Sequence, residues 1–126
     1  MEGIKVNKSG KLYVRNADLY AEILKSKEQG ELTETAIRML MLMVENIQKK
    51  CYYKDPEDKK DCAATAIMDV YMYWNAFNPE KTTNPFAFFT SVITNGLAKG
   101  WDKLYPMNRK CPEAKFTSID NNIHSL

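Results

Sequence analysis

Histidine, clustered cysteine, glycine-rich loops and long apolar runs are all scarce in this 126-residue chain, and each shortage excludes something. The single histidine, His124, lies near the C-terminus. A Ser–His–Asp or Cys–His device needs an imidazole held by its surroundings, which a terminal residue does not provide. Cys51, Cys62 and Cys111 show neither CxxC spacing nor a neighbouring histidine, so no zinc-type site is expected. An odd number of cysteines points to reduced thiols in a cytoplasm. Gly96 and Gly100 are not followed by the lysine and serine of a phosphate loop. The longest apolar stretch, Met39 to Val44, falls far short of the roughly 20 residues that cross a bilayer. The polar segment Met1 to Lys11 carries no secretory apolar region. Charge of one sign is not in excess either: 18 Lys and Arg stand against 16 Asp and Glu. The expectation is a non-enzymatic protein with no metal and no cofactor, working in a cytoplasm and away from membranes.

What the chain does have is helical rhythm. Residues 1–15 read as an N-terminal arm, locally extended at Lys11 to Val14. Asn16 is a plausible cap for a first helix with Leu19, Tyr20, Ile23 and Leu24 at helical spacing, stopped by Gly30. Thr33 caps a second helix reaching about Lys50, and its wide apolar stripe implies cover on more than one side. Asp55-Pro56 followed by Glu57 and Asp58 is a strong start for a third helix, which Asn78-Pro79 ends. Asn84-Pro85 opens a fourth helix running to about Lys103. The predicted fold is all-α: a single domain of four helices over residues 16–105, with the arm before it and a flexible tail at 106–126. A locally basic stretch, Lys99 to Lys115, spans the end of the fourth helix and the start of that tail, with five positive residues against two negative ones.

The fourth helix presents two faces. Phe86, Phe89, Ile93, Leu97 and Trp101 fall on one side and read as core. Phe88, Ser91, Val92, Asn95, Lys99 and Lys103 fall on another, bringing together a ring, small polar groups, an amide and two cations. Rings stack on unpaired bases and lysines neutralise phosphates, so this face suits single-stranded DNA; the alternative is that Phe88 packs under the N-terminal arm and the lysines are ordinary surface.

Two segments carry a resemblance. Asp61-Cys-Ala-Ala-Thr-Ala-Ile-Met-Asp-Val-Tyr-Met-Tyr-Trp-Asn-Ala-Phe77 is followed, after a short loop, by Phe86-Ala-Phe-Phe-Thr-Ser-Val-Ile-Thr-Asn-Gly-Leu97. The pair resembles region 2 of sigma-70-type factors, with D-L-x-Q-E-G-x-x-G-L-x-x-A-x-x-x-F, a loop, and F-x-x-Y-A-x-x-W-I. It is more similar to the late-transcription sigma factors of T4-like phages, which share the helix ending in Phe, the loop ending Asn-Pro and an Ala-aromatic pair, here Ala87-Phe88. The opening Tyr13-Val14-x-Asn16-x-x-Leu19 is similar as well. The chain departs from the bacterial motif in places. The Q-E pair falls on Ala64 and Thr65, the glycines on Ala66 and Asp69, the stacking tyrosine on Phe88, and the paired tryptophans on Ser91 and Val92.

The resemblance implies a sigma factor for phage late transcription in the cytoplasm of a bacterial host. Asp61, Ala64, Thr65, Met68 and Tyr71 would dock on a coiled coil of the largest subunit of the host RNA polymerase. Asn84, Phe88, Thr90, Ser91, Asn95, Lys99 and Lys103 would contact the non-template strand of a melted −10-like promoter element. The chain would lack the domains that read a −35 element. Phe116, Ile119, Ile123 and Leu126 would supply a sliding-clamp motif, working with a late coactivator. A helical repressor and a polymerase-binding adaptor that leaves DNA alone are the competing readings.

Overall fold

In the computed structural model, which describes residues 3–106, the arm folds before the helices begin. Strands β1 (Lys5–Val6) and β2 (Leu12–Tyr13) pair antiparallel, Lys5 opposite Tyr13 and Val6 opposite Leu12. Asn7 shapes their turn: its Oδ1 accepts from the Ser9 and Lys11 amides at 3.0 and 2.9 Å. Gly10 takes φ +86°, a conformation that costs glycine little. Ile4 and Val14 flank this hairpin and are buried in the main core, so the arm is attached to the helical domain.

Four α-helices follow: α1 (Asn16–Gln29), α2 (Glu34–Gln48), α3 (Pro56–Tyr73) and α4 (Pro85–Leu104). Gly30 ends α1 in the left-handed conformation, its amide donating to the Ser26 carbonyl. Thr33 caps α2 by accepting from the Ala36 amide at 3.1 Å. Asp55 and Pro56 open α3, although the Asp55 side chain makes no capping bond. A 3-10 turn over Trp74–Ala76 tightens the end of α3 before Asn78-Pro79. Asn84 caps α4, accepting from the Ala87 amide at 3.1 Å.

Two expectations need correction. Asn16 does not cap α1; Arg15 holds that position and makes no side-chain cap bond. Asn16 is instead a bridge, its Nδ2 donating to the Thr83 carbonyl at 2.9 Å and its Oδ1 accepting from the Phe86 amide at 3.1 Å. Phe86 does not join the core stripe of α4; it is 40% exposed. Pro85 is buried in its place, because 85, 89, 93, 97 and 101 keep strict four-residue steps and Phe86 falls out of that phase.

The core lies between α3 and α4, the most extensive helix pair, with α1 and α2 closing over it. Trp74, Phe77, Phe89, Ile93 and Leu97 meet there, all buried. The approach is closest at two α4 glycines. A Cβ on Gly96 would lie 2.7 Å from the Ala66 Cα, and one on Gly100 would lie 3.0 Å from the Cys62 Cα. Only hydrogen fits between these backbones, which lets the helices interlock. Among the described residues no helix is long and apolar enough to cross a membrane.

Candidate partner and nucleic-acid surfaces

α3 turns Cys62, Ala66, Asp69 and Val70 inward and leaves the opposite side uncovered. Of the residues expected to dock a partner, Asp61, Ala64, Met68 and Tyr71 are exposed, and Thr65 is half-buried with its hydroxyl donating to the Asp61 carbonyl at 3.1 Å. Met68 is 64% exposed and Tyr71 51%. Met72 and Tyr73 extend the patch, at 65% and 47%. Sequence reasoning passed over these two, although Met72 follows Met68 by one four-residue step. Apolar and aromatic side chains held in water on a helix face are characteristic of protein contact surfaces.

Beside this patch runs a groove of about 280 Å³ between α3 and α4, lined by Thr65, Met68, Asp69, Met72, Lys99 and Lys103. It joins the two surfaces that the sequence treats separately. Asp69, 6% exposed, lies in its floor, and Lys99 reaches over from α4 to within 2.9 Å. The hydrogen bond to Asp69 holds the Lys99 ammonium group above its ordinary pKa of 10.5. Lys99 is thus partly committed within the protein; Lys103, also exposed, makes no ion pair among the described residues.

The expected DNA face divides in two. Ser91 (half-buried), Asn95, Lys99 and Lys103 follow one another by four-residue steps along one side of α4. Phe88 stands near the head of that line but is half-buried, edge-on to Phe77 with ring centroids 5.5 Å apart and edge-on to Phe89 at 5.0 Å. Its ring belongs to an aromatic cluster that Tyr20 completes by an edge contact with Phe77. Asn84, though exposed, spends its carbonyl oxygen on the helix cap. Thr90 faces elsewhere, toward the hairpin and α2, in a second groove that it shares with Phe86.

Among the described residues no group of three or more His, Cys, Asp or Glu side chains converges on a metal-sized site. Cys51 and Cys62 are free thiols, both raised above the ordinary cysteine value chiefly by burial. Phe116, Ile119, Ile123 and Leu126, the expected clamp motif, lie outside the described residues. No protein-family model, no curated protein and no solved structure matches this chain.

Proposed function

We propose that this chain is a sigma-like transcription subunit that docks on a bacterial RNA polymerase through the outer face of α3 and holds promoter DNA open at α4. The exposed stripe of Met68, Tyr71 and Met72 carries the reading. Keeping three such side chains in water gives up burial energy that a partner helix would recover. The adjoining lysines, Lys99 and Lys103, place positive charge where a nucleic-acid backbone beside that partner would run. Opening DNA this way needs no covalent chemistry: binding energy from the partner and from captured bases offsets the few kcal/mol of unpairing.

A second reading, a polymerase-binding adaptor that leaves DNA alone, draws on the half-burial of Phe88, the cap role of Asn84 and the Lys99–Asp69 pair. One experiment separates the two. Core polymerase is incubated with the chain and a −10-only template, and thymine reactivity to permanganate is mapped. The sigma reading expects reactive thymines that disappear with Met68→Glu or Tyr71→Ala, together with loss of polymerase capture. Capture without reactive thymines favours the adaptor; capture unchanged in both variants removes α3 as the docking face.

A further inference from the structure

The cations of this protein divide into those that have a partner and those that do not. Arg15, Lys25, Arg38, Lys60 and Lys99 each pair with an acid, and Lys27 is bound to Asn75. Most of the lysines that form no ion pair among the described residues gather around two neighbouring grooves. Lys11 and Lys50 line one of about 290 Å³ between β2, α2 and α4. Lys49, next to Lys50 in the chain, lines a second of about 500 Å³ with Lys54 and Lys59, where α2 passes into α3. The hairpin extends the array, for every charged residue from 3 to 15 is positive. Lys5 lies opposite Tyr13, so strand alternation puts it on the same hairpin face as Lys11, and Lys8 sits in the turn that Asn7 shapes. Buried Ile4 and Val14 hold the hairpin in place, and Asn46 Nδ2 ties it to α2 by donating to the Leu12 carbonyl at 3.2 Å. All of these lysines are exposed. Lys54 lies over the Tyr105 ring, 5.3 Å from its centre, which steadies the ammonium group without neutralising it. Of the nearby acids, Glu57 is taken by Lys60 and Asp58 by the Tyr105 hydroxyl. Glu45 and Asp55 remain, too few to balance the lysines.

Like charges gathered in this way repel one another, and an incoming polyanion turns that cost into attraction. The array contains lysine and no arginine. An ammonium group is a point charge that suits the single, repeated charges of a phosphodiester backbone, whereas carboxylate recognition favours the guanidinium fork. A bilayer would take up apolar side chains beside the cations, but exposed Val6 and Leu12 lie on the hairpin face opposite Lys5 and Lys11. A single strand would want ring faces set between the lysines. Tyr13 and Tyr53 in the linings are half-buried, and exposed Tyr52 and Phe86 border different grooves, so no line of stacking faces runs through the array. We infer that the hairpin, the end of α2 and the α2–α3 loop form a second surface, which binds the phosphate backbone of double-stranded DNA without reading its sequence. The surface uses neither the outer face of α3 nor the lysines of α4, and it works without polymerase.

The test is a fluorescence-anisotropy titration of the full chain with a labelled short DNA duplex of mixed sequence, over a series of salt concentrations and without polymerase. Lys8→Ala with Lys11→Ala should lower the slope of log affinity against log salt by about 1.8, two phosphates at roughly 0.9 each on a duplex. Lys49→Ala with Lys50→Ala should do the same. Lys25→Ala with Lys60→Ala removes as much charge from lysines that are already paired and should leave the slope nearly unchanged. Met68→Glu, which breaks the proposed polymerase contact, should leave duplex binding in place. Circular dichroism checks that each variant is helical, as the exposure of every substituted side chain leads one to expect. Equal slope changes in the paired and unpaired lysine variants overturn the inference, because net charge alone would then explain the binding. A loss confined to Lys99→Ala with Lys103→Ala overturns it in favour of α4. Tighter binding of a single strand with the same number of phosphates overturns the choice of duplex. So does poly-glutamate that displaces the duplex as well as unlabelled duplex does, or sedimentation with phosphatidylserine vesicles by a chain that leaves the duplex free.

Discussion

The two halves of α4 solve opposite packing problems. Its first half meets the rest of the protein through rings: Phe88 and Phe89 interlock with Phe77, and Tyr20 closes the cluster. Its second half meets α3 through almost nothing, since Gly96 and Gly100 bring backbone against backbone. Large side chains hold the helices apart and fill the gap, while absent side chains let them touch. The closest approach of the two backbones is therefore at the second half, where Cys62 and Ala66 sit. Both halves are well packed, but only the ringed half leaves a large aromatic side chain, Phe86, over for the surface.

The sharpest way to break this contrast is at the rings. Phe89 is fully buried, and Phe89→Ala should cost about 3–5 kcal/mol in urea unfolding. The neighbouring Phe86→Ala should cost clearly less, about 1–2 kcal/mol, because its ring is 40% exposed. Similar losses at both would mean that Phe86 packs as its sequence phase implies. At the glycine half the expected effect is smaller. Gly96→Ala gains about 1 kcal/mol of helix propensity but drives a methyl group to 2.7 Å from the Ala66 Cα. Overpacking of about 1–3 kcal/mol should prevail, and the thermal midpoint should fall. A rise in midpoint would show that the two backbones can part freely.

The smallest effect is a pH dependence at the closed end. Burial pushes the Cys62 thiol from 9.0 up to about 12. Burial, followed by the bond that its hydroxyl donates to Asp58, raises Tyr105 from 10.0 to about 12. Both groups hold their protons more tightly folded than unfolded, so their contribution is complete below the unfolded values. It is lost as pH rises from about 9 toward about 12. Thermal melts across that window should show falling stability, and Cys62→Ala should make the decline shallower. A parallel decline in the variant would place the titration elsewhere.

Much of the helical frame was legible because its signals are local. Thr33, Gly30 and Asn84-Pro85 act on amides and carbonyls within a few residues, and all three behave as their chemistry dictates. The misread positions depend on partners far along the chain. Asn16 has the composition of a cap, yet its amide bonds to residues after position 80. Phe86 fits an apolar stripe until Pro85 is seen to keep better phase. Nothing local marks Asp69 for burial either, since the Lys99 that pairs with it arrives from α4. Nothing local marks Gly96 and Gly100 as contact points, since Ala66 and Cys62 lie on another helix. The exposed stripe of α3 was half legible: Met68 and Tyr71 were expected outside, and Met72 was overlooked. The groove beside Phe86 was not legible at all, for it needs the hairpin, α2 and α4 at once.

Asn16 also bears on the order in which this chain assembles. Its two hydrogen bonds span 67 and 70 positions. Contacts that distant must meet the entropy of closing a long loop before they return any energy. α3 and α4 are joined by a short connection and need no such closure to pair. On this hypothesis the helical hairpin forms first, and α1 is latched to the start of α4 afterwards. Interactions made after the folding barrier govern the rate of unfolding rather than the rate of folding. Asn16 would then act as a clock on the native state, setting how long the start of α4 stays in place. Asn16→Ala should steepen nothing in refolding and raise the unfolding rate alone; a slowed refolding limb would put the latch before the barrier.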